Sequence, residues 1–315
     1  MQLDKNIKMP ELSIIIPTYN RSGILENTLD YLMNIKFEKE FEVIIVNNYH
    51  DRITINEKYK GVKIINCTKN GVAASRNSGA LLAKGNWLLF LDDDILVDQS
   101  TIQKIYELST KDSKTIYLPN WVYPDSLYKH LNETNFGRFL IKIKYYTLEG
   151  WLNKPLENKE FIELNSGASY FLMIRKSDFL QINGYDEKFP HAGAEDYEFC
   201  SRLIKHGYQF YLVKEIYVYH NEKDRINIKE WLERQKRNAI TKIILNKATN
   251  KAQHNYLIGF ILTSIFNFYK PFAFLLLSTF KRIVILDKVS FFIIKTLLYI
   301  YIKEAYFQFR EYQKQ

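Results

Sequence analysis

The sequence predicts an α/β protein: a mostly parallel sheet flanked by helices, followed by a basic and apolar helical tail. Three observations lead there. Short apolar runs such as "LSIIIP", "FEVIIV" and "NWLLFL", the first two rich in β-branched residues, read as strands buried on both faces. Segments with apolar residues at helical spacing alternate with them, which is the pattern of a parallel sheet with covered faces. The third is charge: of the net +9, residues 223–315 carry 17 Lys and Arg against 6 Asp and Glu, and residues 1–222 carry 27 against 29. The excess belongs to the tail.

Taken in order, "LSIIIPTYN" is the first strand, ended by Pro17. "RSGILENTLDYLMNI" is a helix with Leu25, Leu29 and Leu32 on one face. "FEVIIVNN" and "GVKIINC" are the next two strands. "NGVAASRNSGALLAKG" is a helix that starts after Gly71 and takes Gly85 as its C-terminal cap. "NWLLFLDDD" is the fourth strand. Beyond residue 110 the pattern is less regular. "TIYLPNWVYP" and "FIELNSGASYFLMIR" read as strands, "SDFLQI" as a short helix and "NGYDEKF" as a turn. "AEDYEFCSRLIKHG" is a helix that opens with Glu195 and Asp196 at the positive end of its dipole and stops at Gly207. "YQFYLVKEIYVYH" supplies a further strand or two. The expected regions are 1–109, 110–222 and 223–315.

Composition narrows the class. With 47% apolar and 25% charged residues the chain is globular rather than disordered. Cys67 and Cys200 have no metal-site spacing around them and read as reduced core thiols of a cytosolic protein. The apolar run in "MQLDKNIKMPELSIIIP" is too short for a secretory signal, so the bulk of the chain is expected in the cytosol.

Asp92, Asp93 and Asp94 close the most apolar strand. Like charges this close repel, and buried carboxylates are costly unless paired. Sheets of this kind bind ligands beyond the carboxyl ends of their strands. A divalent cation, Mn²⁺ or Mg²⁺, shared with a substrate diphosphate would neutralise such a cluster. A solvated acidic turn capping the next helix is the plain alternative.

Four motifs in order, "SIIIPTYNR", "NGVAASRNSGALLAKGNWLLFLDDD", "NGYDEKF" and "AEDYEFCSRLIKHGY", resemble the inverting glycosyltransferases of family 2 over about residues 11–222. The resemblance implies the GT-A fold, a Rossmann-like mixed, mostly parallel sheet flanked by helices. It makes 1–109 the nucleotide-sugar-binding half and 110–222 the acceptor-binding half. It also implies roles for residues. Pro17, Thr18, Tyr19, Asn20 and Arg21 would line the nucleotide, with Asp92 at the ribose, Asp93 in the same nucleotide-sugar site and Asp94 on the metal. Arg76 would contact base or diphosphate, or else form a structural ion pair. His220 would be a second metal ligand, or a structural histidine. Asp196 would be the general base and Glu195 its support in hydroxyl binding; a helix cap is the bland reading of both. Where the family usually shows an acidic residue that reads the base, this chain has Asn47 and Asn48, whose amides can still recognise a base, with Asp51 as a substitute.

The tail contains "YLIGFILTSIFNFYKPFAFLLLSTF" and "VSFFIIKTLLYIYI". Lys270–Pro271 is expected to divide the first into pieces too short to span a bilayer, which needs about 20 residues. Lys236, Arg237, Lys242, Lys247, Lys251, Lys281, Arg282 and Lys288 flank these segments. Residues 223–315 therefore read as a membrane-associating region on the anionic cytoplasmic face of the plasma membrane, and otherwise as a helical bundle on the catalytic domain. The expected activity is transfer from a nucleotide sugar, most readily a UDP-sugar, to a lipid-linked oligosaccharide in bacterial surface-glycan assembly or protein glycosylation. Transfer to polyprenyl phosphate itself is the nearest rival. Nucleotidyl transfer and NAD chemistry lack their glycine-rich loops. Nucleic acid is not an expected partner, because the positive charge sits on the most lipid-like segment.

Overall fold

In the computed structural model, residues 9–152, 155–189, 193–248 and 260–312 are described, without the side chains of 244–248, 260–267 and 307–312. Residues 1–8, Lys251 and 256–259, all read above, lie outside them, as does the side chain of Lys247. In chain order the elements are β1 (Leu12–Thr18), α1 (Ser22–Leu32), β2 (Phe41–Asn47), β3 (Lys63–Asn66), α2 (Val72–Leu82), β4 (Trp87–Leu91), β5 (Ile95–Val97), α3 (Thr101–Lys111) and β6 (Thr115–Val122). Then follow α4 (Asp125–Leu131), α5 (Asn135–Lys142), α6 (Leu148–Leu152), β7 (Phe161–Leu164), β8 (Phe171–Arg175), α7 (Lys176–Gln181), α8 (Glu195–Lys205) and β9 (Gln209–His220). The chain ends in α9 (Ile228–Ala248), α10 (Phe260–Thr279) and α11 (Asp287–Tyr312).

The chain divides into two units. One comprises residues 1–122 and 156–221, the other 123–155 and 222–315. Residues 123–155 thus group with the C-terminal helices.

In the first unit, β3, β2, β1 and β4 run parallel in that order and β8 closes the edge antiparallel to β4. The strands form because every residue of β1 and β4 is buried, so the runs need apolar side chains on both faces. The chain steps outward from β1 to β3 and returns beside β1 as β4, which makes β1/β4 the switch point where such sheets open a crevice. The β1–β4 ladder ends at Ile15 and Phe90, so Pro17, which has no N–H to give, lies beyond it.

A second sheet places β9 between β6, parallel to it, and β5 and β7, both antiparallel. "YQFYLVKEIYVYH" is thus one strand, β9, whose pairing with β6 jumps from Val213 to Tyr217. "FIELNSGASYFLMIR" is divided: β7 belongs to this sheet and β8 to the first. Gly85 is not the cap of α2; the helix ends at Leu82 and Ala83 follows in extended form. Gly85 is needed for close approach instead. A Cβ there would lie 2.7 Å from Ser13 N, and its own N–H donates to Ser13 Oγ at 2.9 Å.

In the second unit, Pro271 does not divide the helix: α10 continues through it. The lost hydrogen bond costs about 3 kcal/mol in an isolated helix interior. Packing overrides that cost, with Ala273 and Leu277 buried one turn apart and Lys270 Nζ paired with Glu304 of α11. Glu304 also holds Lys236 of α9 at 3.4 Å. A polar hub forms where Glu222 accepts from Tyr123 and Arg234, and Arg234 donates to Tyr145 Oη at 3.0 Å. Among the described residues, no helix is long and apolar enough to cross a membrane.

Candidate active site

The crevice beyond β1 and β4 collects most of the residues singled out in the sequence. Each aspartate of the triplet has its own partner. Asp92, at the end of β4, takes Arg76 Nη2 at 2.8 Å. Asp93 accepts Thr18 Oγ1 at 2.7 Å and Arg21, while its backbone carbonyl takes Thr28 Oγ1 at 2.7 Å. Asp94 faces Arg21 Nη1 at 3.0 Å and His220 Nε2 at 3.4 Å. The backbone tightens the same corner: Asp94 O accepts from Asn221 N at 2.7 Å, and Ile95 pairs with His220 across β5 and β9. Trp121 on β6 stands edge-on to the His220 ring, 5.0 Å between centroids.

Arg76 connects this corner to α8. It is 3% exposed, with Nη1 on Glu195 Oε1 at 3.1 Å and Nη2 on Asp92. Burial opposes its charge, but Asp92, Tyr185, Glu195 and Asp196 together hold it firmly protonated. Glu195 is 2% exposed and also accepts from Gly193 N at 2.7 Å, which fixes the first turn of α8. Asp196, one residue on, is more open to solvent. Desolvation first, then the neighbouring Glu195, pushes its carboxyl up to about 8, against the pull of Arg76 and the Tyr197 N–H. Asp92 is also raised, by desolvation and by Asp94, with Arg76 acting against the rise.

Five carboxylates therefore meet two guanidinium groups and one imidazole. The surplus is negative, and it adds to the desolvation that raises Asp92 and Asp196. A divalent cation fits it. Two ligand atoms of one ion at about 2.0–2.3 Å from the metal stand roughly 3 Å apart, close to the Asp94–His220 separation.

Other expected residues lie differently. Asp93, 6% exposed, ties β1 and α1 to the triplet through Thr18, Arg21 and Thr28. Asn47 is 1% exposed, and its amide ties its own turn together, donating to Asp51 O at 2.8 Å and Asn66 Oδ1 at 3.0 Å. Asn48 does the same for the next loop, donating to Lys69 O at 2.6 Å and accepting from Gly71 N at 3.0 Å. Pro17 is buried, Asn20 takes a left-handed turn (φ 52°) and Tyr19 projects outward.

Three residues of the site have no counterpart in the sequence reading. Thr28 is a polar residue on the buried face of α1, between Leu25 and Leu29, and that misplaced polarity was its signal. Tyr49 meets Tyr19 edge to face at 5.1 Å. Asn77, next to Arg76, clasps the "NGYDEKF" turn by accepting from Tyr185 N and donating to Tyr185 O, both at 2.9 Å. That turn needs Gly184. Its φ is +57°, and an added Cβ would lie 2.6 Å from Asn77 Oδ1. Gly184→Ala is expected to cost about 1–3 kcal/mol in urea unfolding, through the left-handed backbone and the displaced Asn77. An unchanged midpoint would mean that the clasp does not constrain the turn.

The fold and site together define a GT-A-like enzyme domain. The glycosyl transferase family 2 model matches residues 13–181, more than half of the chain, and the chain belongs to that family. A second model, described as the N-terminal domain of galactosyltransferase, matches residues 160–224. Among curated relatives, it is 30% identical over 203 residues to an uncharacterized glycosyltransferase of Haemophilus influenzae, covering 62% of each chain. It is 29% identical to a chondroitin synthase of Escherichia coli (69% of this chain, 36% of the relative). A hyaluronan synthase of Pasteurella multocida is 31% identical (67% and 24%). The chain thus spans between a quarter and just under two thirds of those relatives. Two solved structures share the fold, each at a TM-score of 0.52. One is GalNAc-T7 with UDP, GalNAc and Mn²⁺, 16% identical, with 67% of this chain and 43% of that one covered. The other is the mannosyltransferase PcManGT from Pyrobaculum calidifontis with GDP-Man and Mn²⁺, 13% identical, with 78% and 66% covered.

Proposed function

We propose that this chain moves a hexose or N-acetylhexosamine from a nucleotide sugar, read as a UDP-sugar, to a hydroxyl of a lipid-linked glycan, with inversion at C1. The observation that carries it is the Arg76 bridge. One buried guanidinium spans Asp92 and Glu195, so the carboxylates at the switch point and the carboxylates opening α8 belong to one crevice. Direct displacement needs those two halves together: one holds the donor diphosphate, the other presents a base to the acceptor.

Asp92 would bind the donor ribose, and the exposed Tyr19 ring and the half-buried Tyr49 ring would flank the base. Asp94 and His220 would hold Mn²⁺ or Mg²⁺, and an imidazole in the set favours manganese over magnesium, which prefers oxygen. Bound there, the cation offsets the charge that grows on the departing nucleoside diphosphate. Asp196 takes the acceptor hydroxyl proton as that oxygen bonds to C1 and the C1–O bond to the diphosphate breaks on the opposite face. Glu195, locked by Arg76 and Gly193, keeps the turn that presents Asp196 in place. Fold neighbours bound to UDP or to GDP-Man, each with Mn²⁺, support the donor class.

The tail would place the enzyme on the cytoplasmic face of the plasma membrane as a peripheral protein, beside a lipid-linked acceptor. Its net charge supports this reading. The test is release of nucleoside diphosphate across a panel of sugar nucleotides, with a pool of lipid-linked acceptors and Mn²⁺. Acceptor-dependent release from one donor is the expected result. Release from none, or release indifferent to acceptor, overturns the reading.

A further inference from the structure

The second unit leaves a particular apolar surface open. Ile283, Val284 and Ile285, in the connection between α10 and α11, are 42%, 65% and 89% exposed. On α10, Phe268, Phe272 and Leu275 are exposed and recur at helical spacing within an arc of about 60°, taking 100° per residue. On α11, Val289, Phe292 and Tyr299 do the same within an arc of about 80°. Other faces are already used: Ala273 and Leu277, opposite the α10 stripe, and Ile293, Ile294, Leu297 and Ile300, to one side of the α11 stripe, are buried. Soluble proteins expose such residues singly, rarely in stripes that meet at a corner.

The corner is also built to hold its shape. Arg138 on α5 forks onto Asp287 at 2.8 and 2.7 Å, and Asn135 donates to Leu277 O at 2.9 Å and Ser290 Oγ at 3.2 Å. Asn135 N also donates to Lys281 O at 2.8 Å. Charge selects the partner. Residues 268–299 contain five Lys and Arg and a single acid, Asp287, which Arg138 neutralises. Lys281 and Arg282 adjoin the apolar triplet on one side and Lys288 on the other, all exposed; Lys295 borders the α11 stripe.

We propose that this corner, with the stripes beside it, is a docking surface for an anionic lipid bilayer. Ile283, Val284 and Ile285 enter the acyl boundary while Lys281, Arg282 and Lys288 meet the headgroups. The proposal rests on the membrane-associated reading above and gives it an address: a rigid wedge at a helix corner rather than whole helices lying flat.

Flotation of the full chain with phosphatidylglycerol-containing and pure phosphatidylcholine vesicles tests it. The wild type is expected to prefer the anionic vesicles and to detach progressively with salt. Val284→Glu/Ile285→Glu should lower vesicle binding by about tenfold or more, and Lys281→Gln/Arg282→Gln should erase the preference for anionic lipid. These side chains are exposed, so thermal unfolding should not move in either variant. If the wild type binds and Val284→Glu/Ile285→Glu binds equally well, the surface is wrong while membrane association stands. If the wild type ignores both vesicle types, membrane association fails with it. A wild-type dimer that Val284→Glu/Ile285→Glu converts to monomer, without vesicle binding, assigns the face to a second copy and overturns the proposal. Donor turnover, scored separately with a soluble acceptor, keeps all these outcomes distinct from failure of the glycosyltransferase reading.

Discussion

Asp94→Ala is expected to abolish metal-dependent binding of the nucleoside diphosphate and to lower turnover by roughly 10²–10³-fold, about 3–4 kcal/mol of transition-state stabilisation. The carboxylate faces His220 at 3.4 Å in a site with more negative than positive charge. Removing it takes away one ligand and a share of the charge that attracts a cation. The local backbone should survive, because Asp94 contributes its carbonyl, not its side chain, to the bond with Asn221 N. Calorimetric titration with UDP, with and without Mn²⁺, reads the effect. EDTA-treated wild type and Asp94→Ala should then bind nucleotide alike. Turnover of the wild type that persists undiminished in chelator would remove the metal from the site and leave Asp94 as an ion-pair partner of Arg21.

The second large effect concerns Asp196. Asp196→Asn keeps the shape of the side chain and removes its basicity, so nucleotide binding should stay near wild type while turnover falls by about 10²–10⁴-fold. A carboxylate in the proposed role works only when deprotonated, and burial pushes the Asp196 carboxyl up to about 8. Wild-type kcat/KM should therefore rise with pH through about 8 and level above it, and the Asn variant should lack that limb. Stability carries the opposite sign. Between the ordinary 3.8 and about 8 the native state holds a proton that the unfolded state has lost, so this residue's contribution to stability declines as pH rises through that window. Asp196→Asn should flatten the decline and melt no lower than wild type at pH 8. Equal losses of binding and turnover would reduce Asp196 to a helix cap. Retained turnover would favour an acceptor that needs no base, such as a polyprenyl phosphate.

The sequence by itself determined the parallel sheet and the place of the crevice. Runs buried on both faces, such as "SIIIP" and "WLLFL", have few alternatives to a central strand, and a carboxylate cluster at a strand's end marks where the chain leaves the core. It also marked Asp92 and Asp94, because carboxylates at the end of a buried strand need partners, and the family resemblance added Arg76, Glu195 and His220. Only the tertiary structure decided what each one faces. Asp93 and Asp94 are neighbours in sequence and share Arg21, yet the turn after β4 sends Asp93 to Thr18 and Asp94 toward His220, 126 positions away. The Asn47 amide ties its own turn to Asp51 and, 19 positions away, to Asn66. Residues 123–155 joined the tail, and α10 ran through Pro271, because packing outweighs the local preference of one proline. Local pattern reports which groups must be buried or paired; the identity of the partner is a long-range fact, set when distant segments meet.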